Sequence, residues 1–242
     1  KTAAEENHLA WSRMNLQWTV KQRLLWSPHI EIICGVMDAI MAGRINRVLL
    51  NFPPRHGKTL LGVQSLSSRI MAVNPAARIM HTSYSDQLVM KNSRSVKQVL
   101  NSAQFQSVFD ARLAGDSFAK SHWNTTDDGE FHAVSTSSEV TGFECGLNGD
   151  PWDGMLIIDD PEKASAMTSA PYRSEKKDVV GQTIATRLNH DKTPVLVIQQ
   201  RLHADDCSNW LLNGGTGDRW TTLAFQAEST GKPPEHYKDY SH

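Results

Sequence analysis

Apolar residues recur along this chain in two alternating periods. Short apolar runs bounded by turn residues read as buried strands at 48–52, 78–83, 155–158, 194–198 and 220–225. Between them the spacing turns helical. Ile30, Ile33, Cys34, Met37, Ile40 and Met41 form one apolar face, with Ser27 as the N-cap, Pro28 at the first helical position and Gly43 as the C-terminal cap. A second face carries Leu60, Leu61, Val63, Leu66, Ile70 and Met71, and Pro75 closes that helix. Further helices are predicted over 5–25, which is rich in Trp and basic residues, and over 86–100, 171–188 and 205–212. A hairpin is predicted from 122–125, the turn Asp127-Asp128-Gly129 and 131–134. Strands alternating with helices predict an α/β fold, a mainly parallel sheet flanked by helices on both faces.

The organisation predicted is an N-terminal helical segment, 1–45, a core, 46–228, and a polar linker, 229–242. A chain of 242 residues can bury a full core as one large domain or two small ones. The net charge of −1 gives no global basic field, so any nucleic-acid surface must be a local patch. Cys34, Cys145 and Cys207 are far apart and odd in number, which fits a reducing compartment and not a disulfide scaffold or a zinc site. The scattered histidines carry no zinc pattern. No apolar run reaches membrane length, and the polar start, at Lys1, lacks a signal-peptide core.

Three segments carry chemistry. In the first, Arg47–Phe52 enters a tight turn, Pro53-Pro54-Arg55-His56-Gly57-Lys58-Thr59, and a helix follows from Leu60. Strand, turn and helix in that order are the context of a phosphate-binding loop, the alternative being a strand-to-helix turn with a chance Gly-Lys-Thr. Backbone N–H groups and the helix dipole face a triphosphate, with Pro54, Arg55, His56, Gly57, Lys58, Thr59 and Leu60 as its contacts. Lys58 reaches the β- and γ-phosphates, and Thr59 can ligate Mg²⁺. The loop departs from G-x-x-x-x-G-K-[ST]: Phe52 replaces the first Gly, and two prolines remove donors.

In the second, the strand Met155–Ile158 ends in Asp159-Asp160-Pro161. Ligands of open α/β sheets bind at such carboxyl ends. Asp159 is expected to hold Mg²⁺ with Thr59, and Asp160 to polarise the attacking water, with Pro161 keeping Asp160 extended. Asp160 is a methylene shorter than the more usual Glu, so Glu162 or Glu139 is a candidate helper. In the third, the strand ending Val197-Ile198 continues as Gln199-Gln200-Arg201. Gln199 or Gln200 could sense the γ-phosphate and Arg201 could relay its loss. Asp205 is expected to cap the next helix.

Together these motifs resemble the large terminase subunit, the DNA-packaging ATPase of tailed bacteriophages. The similarity runs over about 25–225, through Asn51–Thr59, Leu156–Pro161 and Gln199–Asp206, with Ser83-Tyr84-Ser85 and Thr141-Gly142 also alike. The resemblance implies a P-loop NTPase fold of the additional-strand ASCE type and ATP and Mg²⁺ as cofactors. It further implies double-stranded DNA, the portal protein and the small terminase subunit as partners, a homo-oligomeric ring, a pentamer, and a location at the procapsid portal in the host cytoplasm. A nuclease domain is implied beyond residue 242, since the carboxylate cluster of two-metal cleavage is not seen in this sequence.

One departure is that 142–153 has no Arg or Lys, where relatives carry an arginine before the acidic strand. An arginine finger can supply about 10³–10⁵ in rate. Arg55 is the first choice within the subunit. Arg94, Arg173, Arg187 and Arg201 are candidates for a neighbour-supplied finger or a relay, with a solvated helix charge as the alternative for Arg94, Arg173 and Arg187. DNA grip is assigned loosely among Arg44, Arg47, Lys91, Lys97, Lys163, Lys176 and Lys177, and adenine contacts among Gln17, Gln22, Trp26 and His29. Two rival readings stay open: another nucleic-acid translocase or helicase of this ATPase class, and a nucleotide-binding assembly protein with little turnover.

Overall fold

A computed structural model describes residues 5, 7–19, 24, 27–115, 119–138 and 142–226 of the chain. The expected linker at 229–242, and Glu139, Thr141, Gln22 and Trp26, lie outside the described residues.

The helices are α1 (His8–Thr19), α2 (Pro28–Met41), α3 (Leu66–Val73), α4 (Asp86–Leu100), α5 (Ala103–Gln106), α6 (Ala170–Arg187) and α7 (Cys207–Leu212). The strands are β1 (Arg47–Asn51), β2 (Arg78–Ser83), β3 (His122–Asn124), β4 (Glu130–Ser135), β5 (Gly154–Asp159), β6 (Val195–Gln199) and β7 (Thr221–Ala224). They form one sheet in the order β3-β4-β2-β5-β6-β1-β7. Each pairing is parallel except β3 with β4, the expected hairpin. Thus β6 lies between β1, which leads into the phosphate loop, and β5, which ends in the acids. This inserted strand is the feature of the additional-strand class.

Strands buried on both faces should be continuously apolar, and β1, β5 and β6 are buried at every residue. Alternate side chains divide the core into two layers. Val48, Leu50, Ile157, Leu196 and Ile198 pack under α1, α2, α3 and α4. Leu49, Leu156, Ile158, Val195 and Val197 pack under α6 and α7. Gly62 lets the helix after the loop lie close on the sheet, since a Cβ there would stand 2.5 Å from Ile198 Cδ1.

The N-terminal helices join the first layer through buried polar bonds as well as apolar contact. Trp11 Nε1 donates to Ser68 Oγ at 3.2 Å. Arg69 bridges Asp38 at 2.5 Å and donates to Glu5 O. Burial pushes the Asp38 carboxyl up from its ordinary pKa, and the Arg69 charge only partly offsets this. The end of α2 is a Schellman cap, with Gly43 at φ 68°, Gly43 N–H on Ile40 O and Arg44 N–H on Ala39 O. Ser27 occupies the N-cap, yet its hydroxyl bonds His29 Nδ1 at 3.1 Å and not the helix backbone.

Two further differences from the sequence expectation matter. Leu60–Ser65 is a π-helical stretch, not α, and His8 Nε2 bonds Leu61 O there at 3.1 Å. The last helix starts at Cys207, and its N-cap is Asp206, not Asp205. Asp206 accepts from Asn209 N–H, whereas exposed Asp205 pairs with Arg173 and Lys177. Either residue suits a cap, and the cationic face of α6 draws Asp205 outward.

Candidate active site

The phosphate loop leaves β1 at the carboxyl edge of the sheet. Phe52 N–H continues the ladder to Gln199 O, and the buried ring stacks on Phe225 at 4.4 Å. Phe52 thus anchors the loop entrance. The turn that follows is made by two left-handed residues, Arg55 at φ 67° and Gly57 at φ 78°. Glycine adopts that conformation freely, and Arg55 does so at some strain. Helical bonding starts with Leu61 N–H on Gly57 O. Ile30 at the start of α2 packs against Gly57, and His56 meets His29 edge to face at 5.3 Å.

Lys58 and Thr59 stand on the first turn, over the ends of β5 and β6. Lys58 Nζ lies 2.7 Å from Asp160 Oδ1, and Thr59 Oγ1 donates to Asp159 Oδ2 at 2.8 Å. Four residues assigned to one site are therefore brought together. Asp159 is buried, and its carboxyl is pushed up to about 7. Burial is the main cause and the Asp160 charge adds to it, while Thr59 and Lys58 pull the other way.

Asp160 is not extended, as the following proline had suggested. It sits in the left-handed region at φ 44°. Three strand ends impose this: Asp160 N–H bonds Ile198 O, its carbonyl accepts Tyr84 N–H and Ser83 Oγ, and Oδ1 accepts Gln200 N–H at 3.3 Å. Aspartate tolerates the region better than most residues.

A magnesium ion is tested by the donors present. Asp159 Oδ1 is buried with no hydrogen-bond partner, beside the Thr59 hydroxyl. An orphaned carboxylate oxygen next to a hydroxyl suits a hard cation that keeps most of its waters. Among the described residues no group of three or more His, Cys, Asp or Glu could hold a metal, but a nucleotide-bound Mg²⁺ does not require one.

The coupling segment divides across the sheet. Gln200 follows β6 and its backbone reaches Asp160. Gln199 is buried on the opposite layer, where Nε2 donates to Glu162 at 2.6 Å. Glu162 also accepts Cys207 N–H, and Asn51 Nδ2 donates to Ser208 Oγ at 2.8 Å. Burial raises the Glu162 carboxyl above its ordinary pKa. Arg201 holds the cap residue Asp206 at 2.8 Å. Sequence reasoning missed Asn51, Asp206 and the partners of Glu162, because nothing in local spacing reports which strand ends meet.

The cationic candidates fall in different places. Arg55 is exposed and forms no hydrogen bond or ion pair among the described residues. Arg94 is exposed on α4, while Arg173 is tied to Asp205 and Met167 O. Arg187 lines a groove of about 590 Å³ between α6 and the ends of β2 and β4, which includes none of Lys58, Thr59, Asp159 or Asp160. Of the DNA-grip candidates, Arg47 is buried against Thr193 O, Asp191 O and Asp218, and Lys176 is buried beside Glu175. Neither presents a free charge. Lys97 spans Ala119 O and the Trp123 ring, whereas Arg44, Lys91 and Lys163 are exposed. Gln17 is exposed on α1, and His29 rests on the loop.

Among known proteins, no family model matches the chain. No curated protein matches it either. Among solved structures, the crystal structure of the HK97 bacteriophage large terminase is similar, with a TM-score of 0.59 at 14% identity, over 93% of this chain and 44% of that one. The chain therefore spans less than half the length of that protein, and the two share a fold. No described helix is long and apolar enough to cross a membrane.

Proposed function

We propose that this chain is the ATP-hydrolysing motor domain of a large terminase, which drives double-stranded DNA through a portal into a procapsid. The observation that carries this reading is the meeting of Lys58 and Thr59 with Asp159 and Asp160 at the carboxyl edge of an additional-strand sheet.

ATP enters over the loop, where the N–H groups from Arg55 to Leu60 and the dipole of the following helix take its phosphates. Lys58 leaves Asp160 for the β- and γ-phosphate oxygens. Thr59 and the free oxygen of Asp159 would hold magnesium, which would supply charge neutralisation for the phosphates. The exchange frees Asp160 to orient water toward the γ-phosphate and to take its proton. Arg55, exposed on the loop, swings to the transferring phosphoryl group. Loss of that group shifts Gln199, Gln200 and Arg201, and this displaces a DNA-gripping surface. The grip is to DNA phosphates, because a motor must pass any sequence. The small terminase subunit and the portal are the expected partners, and a pentameric ring is the expected active form.

Phosphate release from Mg·ATP tests this, measured on isolated chains and on rings with double-stranded DNA. Turnover that depends on Mg²⁺, is stimulated by DNA and is lost in Lys58→Ala supports the motor. Nucleotide binding without turnover in either form points instead to an assembly protein. Normal turnover in Lys58→Ala refutes the loop assignment.

A further inference from the structure

Glu162 is a buried carboxylate that the cycle above does not use. Its two oxygens are occupied: Oε2 takes Gln199 Nε2 at 2.6 Å, and both oxygens take Cys207 N–H, at 3.1 and 3.2 Å. Gln199 shares its face with Val195 and Val197, and Cys207 belongs to the same layer. Asp159 pairs in register with Ile198, which faces the other layer, where Thr59 lies. Glu162 is therefore turned away from the nucleotide edge. It does not serve as a second base beside Asp160, the helper role its place in the sequence had suggested.

Its neighbours define another role. Asp160 Oδ1 accepts Gln200 N–H, and Glu162 accepts the side chain of Gln199. Two carboxylates either side of Pro161 thus hold two consecutive residues at the end of β6. Pro161 is buried and fixes its own φ, which removes one of the backbone torsions between Asp160 and Glu162. The closed ring of residues 160–162 and 199–200 extends through Cys207 N–H to the start of α7. From there Ser208 reaches Asn51, the last residue of β1 before the loop.

We propose that Glu162 is a positioning residue, which clasps β5 to β6 and passes the movement of Asp160 to α7. The proposal rests on the motor reading for its kinetic consequence, but the clasp itself does not. When Lys58 leaves Asp160, the shift is carried through Pro161 to Glu162, and through Glu162 to Gln199 and Cys207. Gln199 is then a mechanical contact on the far layer, and Gln200 is the residue that meets the nucleotide edge.

Glu162→Gln tests this with the volume kept. It replaces the oxygen that takes Cys207 N–H at 3.1 Å with an N–H donor, which opposes that amide, and leaves one neutral oxygen to serve both Gln199 Nε2 and Cys207 N–H. In nucleotide-free protein, hydrogen exchange is expected to rise at the amides of both Cys207 and Gln200. An unchanged Gln200 amide overturns the clasp, whatever the protein hydrolyses. In the turnover assay, kcat should fall roughly ten- to a hundred-fold, the cost of misplacing a catalytic group by about an ångström, with KM for ATP within about twofold. The reversed pair, Glu162→Gln with Gln199→Glu, rebuilds the contact and should recover most of the lost rate. A wild-type kcat in folded Glu162→Gln, or no recovery in the folded reversed pair, overturns the proposal. A wild-type chain that releases no phosphate overturns the motor reading and leaves the exchange result to decide the clasp.

Discussion

Lys58 Nζ lies 2.7 Å from Asp160 Oδ1, so the phosphate-loop cation is paired with the acid assigned to activate water. Both side chains are largely buried, at 7% and 21% exposure, which limits screening by water. A triphosphate must compete with this carboxylate for Lys58. Binding and release of the base thereby become one event.

Asp160→Asn separates the two roles. The amide no longer neutralises Lys58, so nucleotide affinity should hold or rise. Hydrolysis should fall by roughly 10²–10⁴, the usual cost of a lost general base. Titration with a fluorescent ATP analogue and phosphate release measure the two. Turnover at the wild-type rate would place the base elsewhere.

Arg55 should act on rate alone. Arg55→Ala removes an exposed side chain that forms no hydrogen bond or ion pair among the described residues, so stability and ATP affinity should change little. kcat should fall toward the roughly 10³–10⁵ that an arginine finger supplies. A loss confined to affinity would make Arg55 a binding residue only.

Asp38→Ala should destabilise the fold by about 3 kcal/mol, since it strands the buried guanidinium of Arg69. Chemical denaturation reads this directly. A change near zero would mean that the Asp38–Arg69 pair adds nothing to the stability of the fold.

His81 gives a pH signature. It is buried, accepts Asn92 Nδ2–H at 3.1 Å, and burial lowers its pKa to about 4. The unfolded chain, with an ordinary value near 6.5, binds more protons between about pH 4 and 6.5. The contribution of neutral His81 is therefore fully present above about pH 6.5 and is lost as pH falls toward 4. Asp159, raised to about 7, acts in the opposite sense over an overlapping range, so the total slope mixes signs. The difference between wild type and His81→Gln isolates the histidine. Denaturation at pH 7 and pH 5 should show the wild-type advantage shrinking, at up to about 1.4 kcal/mol per pH unit. A constant difference would mean that His81 titrates normally.

Much of this architecture could be read along the chain. The continuous apolar runs of β1, β5 and β6 told of strands buried on both faces, and β2 and α4 fell on their expected residues. Lys58, Thr59, Asp159 and Asp160 could be named because their residue types are tied to strand–turn–helix context. Contacts between distant strand ends left no local trace. The left-handed Asp160 follows from three such ends meeting, against the preference of a residue before proline. Gln199 and Gln200 look equivalent in sequence, and only the alternation of β6 sends the Gln199 side chain to Glu162, while Gln200 meets Asp160 through its backbone N–H. The choice of Asp206 over Asp205 as cap required the cations of α6, which lie far away in the chain.

The most direct measurement is a structure with Mg²⁺ and a non-hydrolysable ATP analogue bound. The expected result has Lys58 Nζ on the β- and γ-phosphates, no longer touching Asp160. Thr59 and Asp159 should stand at the magnesium, with a water between Asp160 and the γ-phosphate. A nucleotide bound elsewhere, with the 2.7 Å Lys58–Asp160 pair intact, would contradict the motor assignment.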